Sequence, residues 1–93
     1  MAEAVATELI DDDRVRVTRF DFAPGAETGW HVHGFDYVIV ALSDCEMALD
    51  LPGGESAEAR VAAGESYRRD KGVEHNVRNG GANPMSFIEI ELK

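Results

Sequence analysis

Turn-forming residues recur at short intervals along this chain, and they leave room only for short regular elements between them. The turn signals are Asp11-Asp12-Asp13, Pro24-Gly25, Ser43-Asp44, Pro52-Gly53-Gly54, Ala63-Gly64, Lys71-Gly72, Gly80-Gly81 and Asn83-Pro84. The runs between them predict about eight strands, over residues 14–22, 28–33, 36–42, 45–51, 56–61, 65–69, 73–79 and 85–92. Short strands separated by regular turns are typical of an all-β sandwich or barrel.

Local patterns add detail to this all-β prediction. Residues 2–9 are the only helix candidate, and the segment is short. Pro52-Gly53-Gly54 predicts a tight hairpin tip, because glycine reaches positive φ at no steric cost. In strand 14–22 the valines share one face and the two later phenylalanines share the other, so we expect either a bulge or burial on both faces.

The chain length fits one domain that covers residues 1–93. A domain of this size buries only about 60–65% of the surface of its unfolded chain, so further burial between identical subunits would stabilise it. We therefore expect a homodimer, with residues 1–13 as an N-terminal extension or arm in the dimer contact.

The formal net charge is −9, from 18 acidic and 9 basic side chains. Such a surface repels phosphate backbones and anionic lipids, which argues against nucleic acid and membrane partners. The first residues, MAEAVATELIDDD, lack the basic and apolar segments of a signal peptide, and no apolar run approaches the length of a membrane span. The expected location is therefore the cytoplasm, where the single cysteine, Cys45, is expected to be a buried hydrophobic residue.

The three histidines of the chain are candidate metal ligands. His31 and His33 are one residue apart in a predicted strand, so they project from the same face with Cα atoms about 6.5 Å apart. The third, His75, begins another predicted strand, and three imidazoles from separate segments are a usual way to assemble a site with open coordination positions. The alternative is that the His31–His33 pair is only hydrogen-bonded, in the core or at the surface.

The segments that contain these histidines resemble the two motifs of the cupin superfamily, in particular its small single-domain members of the cupin 2 type. The first motif reads Gly, five residues, His-x-His, three or four residues, Glu; Gly25, His31 and His33 match it. The position of the glutamate is taken by Tyr37, or by Val38 with the longer gap.

The second motif reads Gly, five residues, Pro-x-Gly, two residues, His, three residues, Asn. Gly64, Gly72, His75 and Asn79 match it, with Asp70 in place of the proline. The runs PGAETGWHVHGFDYVIVAL, GVEHNVRN and FIEIELK are also similar to small cupins named as β-alanine degradation proteins. The resemblance implies a double-stranded β-helix, the jelly-roll barrel of cupins.

Without the motif glutamate, the resemblance implies a site of three histidines, His31, His33 and His75, that holds a divalent transition metal such as Fe, Zn, Ni or Mn. Three neutral imidazoles leave the full charge of the ion and open positions for water or substrate. We therefore expect a metal-dependent enzyme, either dioxygenase-like or a metal-assisted isomerase or hydrolase, that acts on a small organic acid or related metabolite. The alternative is a cupin that binds or senses a small molecule without catalysis.

Tyr37 and Asp36 are candidates to compensate for the missing glutamate. Tyr37 is a catalytic candidate as a fourth ligand, a hydrogen-bond donor to substrate or a proton donor; otherwise it is a half-buried core aromatic residue. Asp36 either orients an imidazole or stabilises a turn.

Further polar residues are candidates for the substrate pocket. Tyr67 and Arg69 share a face, and if that face points inward, Arg69 could receive a substrate carboxylate. If it points outward, the arginine is an exposed charge. Glu89 lies on the strand face opposite Ile88 and Ile90, so we expect its carboxylate to face solvent.

Overall fold

The computed structural model describes residues 2–93, which form nine strands arranged in two antiparallel sheets. The strands are β1 (Val5–Asp11), β2 (Val15–Phe22), β3 (His31–Val32), β4 (Asp36–Ala41), β5 (Cys45–Asp50), β6 (Ser56–Val61), β7 (Ser66–Arg69), β8 (Glu74–Asn79) and β9 (Met85–Leu92). One sheet has the order β1-β2-β9-β4-β7, and the other has the order β3-β8-β5-β6. The prediction of an all-β fold is confirmed.

The turn residues limit the strands much as the sequence predicts. Each of the eight predicted runs contains a strand, although the run 28–33 contributes only His31–Val32. The hairpin tip between β5 and β6 is a 3-10 turn, Pro52–Gly54, in which both glycines have φ near +78°. No helix among residues 2–93 has the length and hydropathy needed to cross a bilayer.

The N-terminal segment is where the prediction of local structure is wrong. Residues 2–9 were the helix candidate, but Val5–Asp11 form β1, which pairs along the edge of β2. An isolated helix of this length is marginal in water, whereas pairing with an existing strand satisfies the backbone directly. The bulge lies in this strand, between Glu8 and Ile10, whereas β2 pairs with β9 without interruption and is partly buried on both faces.

The core lies between the two sheets. Phe22, Phe87 and Met85 come from the five-stranded sheet, and Met47 and Val77 come from the other. The rings of Phe22 and Phe87 have centroids 5.3 Å apart, and both lie near Phe20. The core fills only one end of the space between the sheets; the other end is a cavity of about 390 Å³.

Asn79, the last residue of β8, links the end of β2 to the loop between β8 and β9 through side-chain hydrogen bonds. Its side-chain amide donates hydrogen bonds to the carbonyls of Phe22 and Asn83, and its Oδ1 accepts one from the Gly81 N–H. The residue is 3% exposed, so these bonds are shielded from water.

Replacing Asn79 with alanine is expected to lower the free energy of unfolding by about 2–3 kcal/mol, because it leaves buried backbone groups without partners. Urea denaturation measures the change. The matched control is Asn83→Ala, which removes an exposed amide but keeps the backbone carbonyl that Asn79 uses. Equal stabilities of the two variants would contradict this role.

Candidate metal centre

Two short backbone segments bring the three histidines together at one wall of the cavity. His31 lies on β3 directly opposite His75 on β8. His33 follows β3, where its N–H donates to the carbonyl of Val73 and its carbonyl accepts from the N–H of Gly72. The antiparallel pairing thus places an imidazole from the second segment next to the two imidazoles of the first.

The Nε2 atoms of the three imidazoles converge. Nε2 of His33 lies 3.1 Å from Nε2 of His31 and 3.1 Å from Nε2 of His75. The Nδ1 of His31 lies 2.8 Å from the carbonyl oxygen of Gly29, which can only accept, so Nδ1 carries the proton. Nε2 of His31 therefore presents a lone pair to the other two rings.

This cluster fits a divalent transition metal. Nitrogen atoms bound to one ion at about 2.0–2.1 Å are separated by about 3 Å, as these are. Burial, together with the neighbouring imidazoles, lowers the pKa of His33 to about 4, and burial also lowers the pKa of His75 to about 4. Both rings are therefore neutral at pH 7, and protons do not compete with a metal for them.

The backbone that anchors His31 is itself held by side chains. The N–H of Gly29 donates to Oδ1 of Asn76, and the amide of Asn76 donates to Asp50. Gly29 has φ of +88°, a left-handed conformation that suits glycine. The carbonyl that fixes the tautomer of His31 is therefore in a defined position.

Tyr37 is buried in the wall and stacks on His33. The two ring centroids are 3.8 Å apart, and the ring planes differ by 16°. The Tyr37 ring therefore packs against the face of the His33 ring, and a stacked contact of this kind holds the imidazole in its orientation. Burial raises the pKa of this hydroxyl, and the phenol stays neutral.

The carboxyl group that faces the histidines comes from β9. Oε1 of Glu89 lies 3.9 Å from Nδ1 of His33, and its side chain is only 12% exposed. Burial and the nearby Glu91 raise the pKa of Glu89 to about 7. The expectation that Glu89 faces solvent is therefore wrong, because the Phe87 face of β9 points into the barrel.

Arg16 is the arginine that lines the cavity. Its Nε donates to Oε2 of Glu91 at 2.8 Å across neighbouring strands. Glu91, Glu89 and Phe87 follow one another at alternate positions of β9, so the cavity wall changes from charged to apolar along this strand.

The pattern of the whole chain agrees with this geometry. Residues 18–91 match the family described as Cupin domain (Cupin_2). The protein is a cupin. The two sheets are the jelly roll of this family, and both histidine-bearing segments lie within the matched residues.

Similar proteins cover nearly the full length of this cupin. A curated relative, the β-alanine degradation protein BauB of Pseudomonas aeruginosa, is 48% identical over 91 residues, which are 98% of this chain and 95% of the relative. A crystal structure of a cupin domain from Bordetella pertussis Tohama I has a TM-score of 0.93 at 44% identity, covering 99% of this chain and 95% of that one. The polyketide cyclase RemF of Streptomyces resistomycificus has a TM-score of 0.74 at 28% identity, covering 97% of this chain and 65% of its own.

The remaining candidates lie in different parts of the structure. Tyr67 lines the cavity, but Arg69 is exposed, with its guanidinium carbon 5.2 Å from the centroid of the Tyr67 ring. Asp36 accepts a hydrogen bond from the N–H of Lys71 and lies 3.8 Å from Arg68, so it stabilises a turn. Sequence reasoning missed Glu89 and Arg16; the signal for both was that they alternate with phenylalanines of the core.

Proposed function

We propose that this cupin is a metal-dependent enzyme that acts on a small organic acid or related metabolite. The observation that carries the proposal is the convergence of three imidazoles at the wall of a cavity of about 390 Å³. His31, His33 and His75 would hold a divalent transition metal such as Fe, Zn, Ni or Mn, of which Fe, Zn and Ni are the ones that imidazole ligands suit. The chemistry that such an ion supplies is Lewis acidity toward a bound oxygen atom, or oxygen chemistry if the ion is iron.

Size and polarity support a small acid as the ligand. The cavity wall combines apolar side chains, among them Phe20, Ile39 and Phe87, with the three histidines, an arginine and two glutamates. The guanidinium of Arg16, rather than that of Arg69, lies where it can receive a carboxylate. The curated relative is named for the degradation of β-alanine, itself a small carboxylic acid.

Glu89 is the carboxyl group that lies beside the Nδ1 atom of His33. With Nε2 of His33 as a ligand, the proton of that ring sits on Nδ1, the side that faces Oε1 of Glu89. At 3.9 Å this contact is electrostatic and not a hydrogen bond. If it shortens to hydrogen-bond distance when a metal binds, the carboxylate would orient the ring and increase its basicity. The neutral phenol of Tyr37 stacks on one face of the His33 ring and restricts its rotation.

Replacing Glu89 with glutamine is expected to weaken metal binding by about 10-fold, because outer partners of metal-binding histidines typically contribute 10- to 100-fold in affinity. Competition with a chromogenic chelator measures the dissociation constant. Glu46→Gln makes the same change in net charge at a half-exposed position on β5, and it should leave the affinity unchanged. If both variants bind metal equally well, Glu89 has no part in the site.

The function is tested by incubating metal-loaded protein with a panel of small carboxylic acids and measuring substrate loss, product formation and oxygen uptake. We expect turnover of at least one acid, lost in His75→Ala and retained in Ala57→Lys, which changes an exposed position on β6. Oxygen uptake would indicate a dioxygenase, and turnover without it an isomerase or hydrolase. Binding of acids without any turnover would instead indicate a non-catalytic binding protein.

A further inference from the structure

The Nδ1 atom of His31 has two neighbouring groups that favour opposite tautomers of the ring. The carbonyl oxygen of Gly29, at 2.8 Å, can only accept, so it requires a proton on Nδ1. The hydroxyl of Thr28, at 3.3 Å from the same atom, could donate to it, which requires a lone pair on Nδ1 and puts the proton on Nε2. A protonated Nε2 cannot bind a metal. The position of the Gly29 carbonyl therefore decides whether His31 can be a ligand.

Asn76 holds Gly29 from outside the cavity. The N–H of Gly29 donates to Oδ1 of Asn76 at 2.9 Å. On β8, Asn76 lies between His75 and Val77, which both line the cavity, so its side chain projects from the opposite face of the strand. The asparagine is nevertheless only 8% exposed. Its hydrogen bond to Gly29 is therefore shielded from water, although it takes no part in the cavity wall.

Asp50 determines which way the amide of Asn76 points. Its Oδ2 accepts a hydrogen bond from Nδ2 of Asn76 at 2.8 Å, and the same carboxylate accepts two from the guanidinium of Arg78. These hydrogen bonds, those of Arg78 first, hold the pKa of Asp50 below its usual value, so the group stays ionised. A carboxylate can only accept, so the NH₂ of Asn76 must face Asp50 and its oxygen must face Gly29.

The hydrogen bonds between His31 and Asp50 all run in one direction. The Nδ1–H of His31 donates to the Gly29 carbonyl, the Gly29 N–H donates to Asn76, and the amide of Asn76 donates to Asp50. Hydrogen bonds arranged in this way polarise and strengthen one another. The series connects three neighbouring strands in the order β3-β8-β5, so the negative charge on β5 favours a proton on the imidazole of β3.

We propose that Asn76 and Asp50 are positioning residues that hold His31 in the tautomer able to bind a metal. They act through the Gly29 carbonyl and touch neither the cavity nor Nε2 of any histidine. The Thr28 hydroxyl, which donates to the same carbonyl, is the group that would stabilise the other tautomer if the carbonyl moved away. The inference rests on the metal centre of the proposed function, but the tautomer is a property of the metal-free protein.

The test measures the tautomer of His31 and the metal affinity separately. Long-range proton–nitrogen correlation NMR of the metal-free protein at neutral pH shows which nitrogen of each of the three histidines carries the proton. We expect the proton on Nδ1 of His31 in the wild type and a mixture of both tautomers in Asn76→Ala. Competition of Zn²⁺ with a chelator should show an affinity about 10-fold lower in this variant, in the range that outer partners of ligands contribute.

Further variants separate positioning from stability. Asn76→Asp alone sets two carboxylates against each other, whereas Asn76→Asp combined with Asp50→Asn restores a donor and an acceptor in every contact, so the double variant should recover the Nδ1–H tautomer. Asp50→Ala changes a side chain that is 39% exposed and should shift the tautomer without opening a buried position. Asn79→Ala removes a buried asparagine of the same strand that bonds elsewhere, and it should leave both readouts unchanged.

A wild-type tautomer of His31 in both Asn76→Ala and Asp50→Ala would overturn the proposal. An equal shift in Asn79→Ala would overturn it as well, because the effect would then follow from lost stability alone. If the tautomer shifts as expected but the wild-type protein binds no metal, the positioning of His31 is supported and the proposed function fails. Circular dichroism spectra show that each variant is folded.

Discussion

Replacing His33 with alanine is expected to lower the affinity for a divalent transition metal by at least about 1,000-fold, because losing a ligand must cost more than the 10- to 100-fold that an outer partner contributes. His33 is the central member of the cluster, since its Nε2 is 3.1 Å from both other imidazoles. Without it, only two candidate ligands remain, His31 and His75, which face each other on the paired strands β3 and β8.

The measurement is a competition titration with a chelator of known affinity, on untagged protein purified without a nickel column. Tyr37→Phe is the matched control, because it keeps the ring that stacks on His33 and removes only the hydroxyl. We expect this variant to bind metal as the wild type does, since the three imidazoles would hold the metal without the hydroxyl. A loss of affinity in Tyr37→Phe comparable to that in His33→Ala would contradict this assignment of the ligands.

The strands were predictable because turn chemistry is local. Glycine, proline and aspartate act on the few residues around them, so runs such as 56–61 and 85–92 coincide with the observed strands. β1 was not predictable in the same way, because its conformation depends on pairing with the free edge of β2. Neither its composition nor its length contains that information.

The positions of the histidines were predictable from their spacing, whereas the inward position of Glu89 was not. His31 and His33 share a face in any strand, and the cupin motifs indicate His75 as their partner. For β9 the sequence leaves the choice of inner face open, because Phe87 on one face and Ile88 and Ile90 on the other are equally apolar. If the isoleucine face is taken as the inner one, Glu89 is wrongly predicted to face solvent.

This ambiguity has a physical origin. A strand with one apolar face has a defined inside, but β2 and β9 have two apolar faces. One face packs in the barrel, and the other carries aliphatic side chains such as Val17 and Ile90. The position of Arg16 was hidden for the same reason, because it lies on the phenylalanine face of β2.

Acidification is expected to destabilise the metal-free protein between pH 6.5 and 4.5. His33 and His75 have pKa values of about 4 in the folded protein, against 6.5 when unfolded, so the unfolded state binds more protons in this range. Glu89 acts in the opposite sense, because its pKa rises from 4.5 to about 7 and the folded state takes up its proton first. Two groups oppose one, which leaves a net difference of about one proton.

One proton corresponds to about 1.4 kcal/mol per pH unit, and the net difference grows to about one proton only below pH 6, so the free energy of unfolding should fall by about 2 kcal/mol over these two units. Urea denaturation in the presence of a chelator measures it at each pH. In Glu89→Gln the opposing group is gone, so the fall should be steeper, about 4 kcal/mol. Asp12, Asp21 and Asp50 have lowered pKa values and contribute only below this range. A stability that is flat or rises on acidification, or a shallower slope in Glu89→Gln than in the wild type, would show that the imidazoles are not buried as neutral groups.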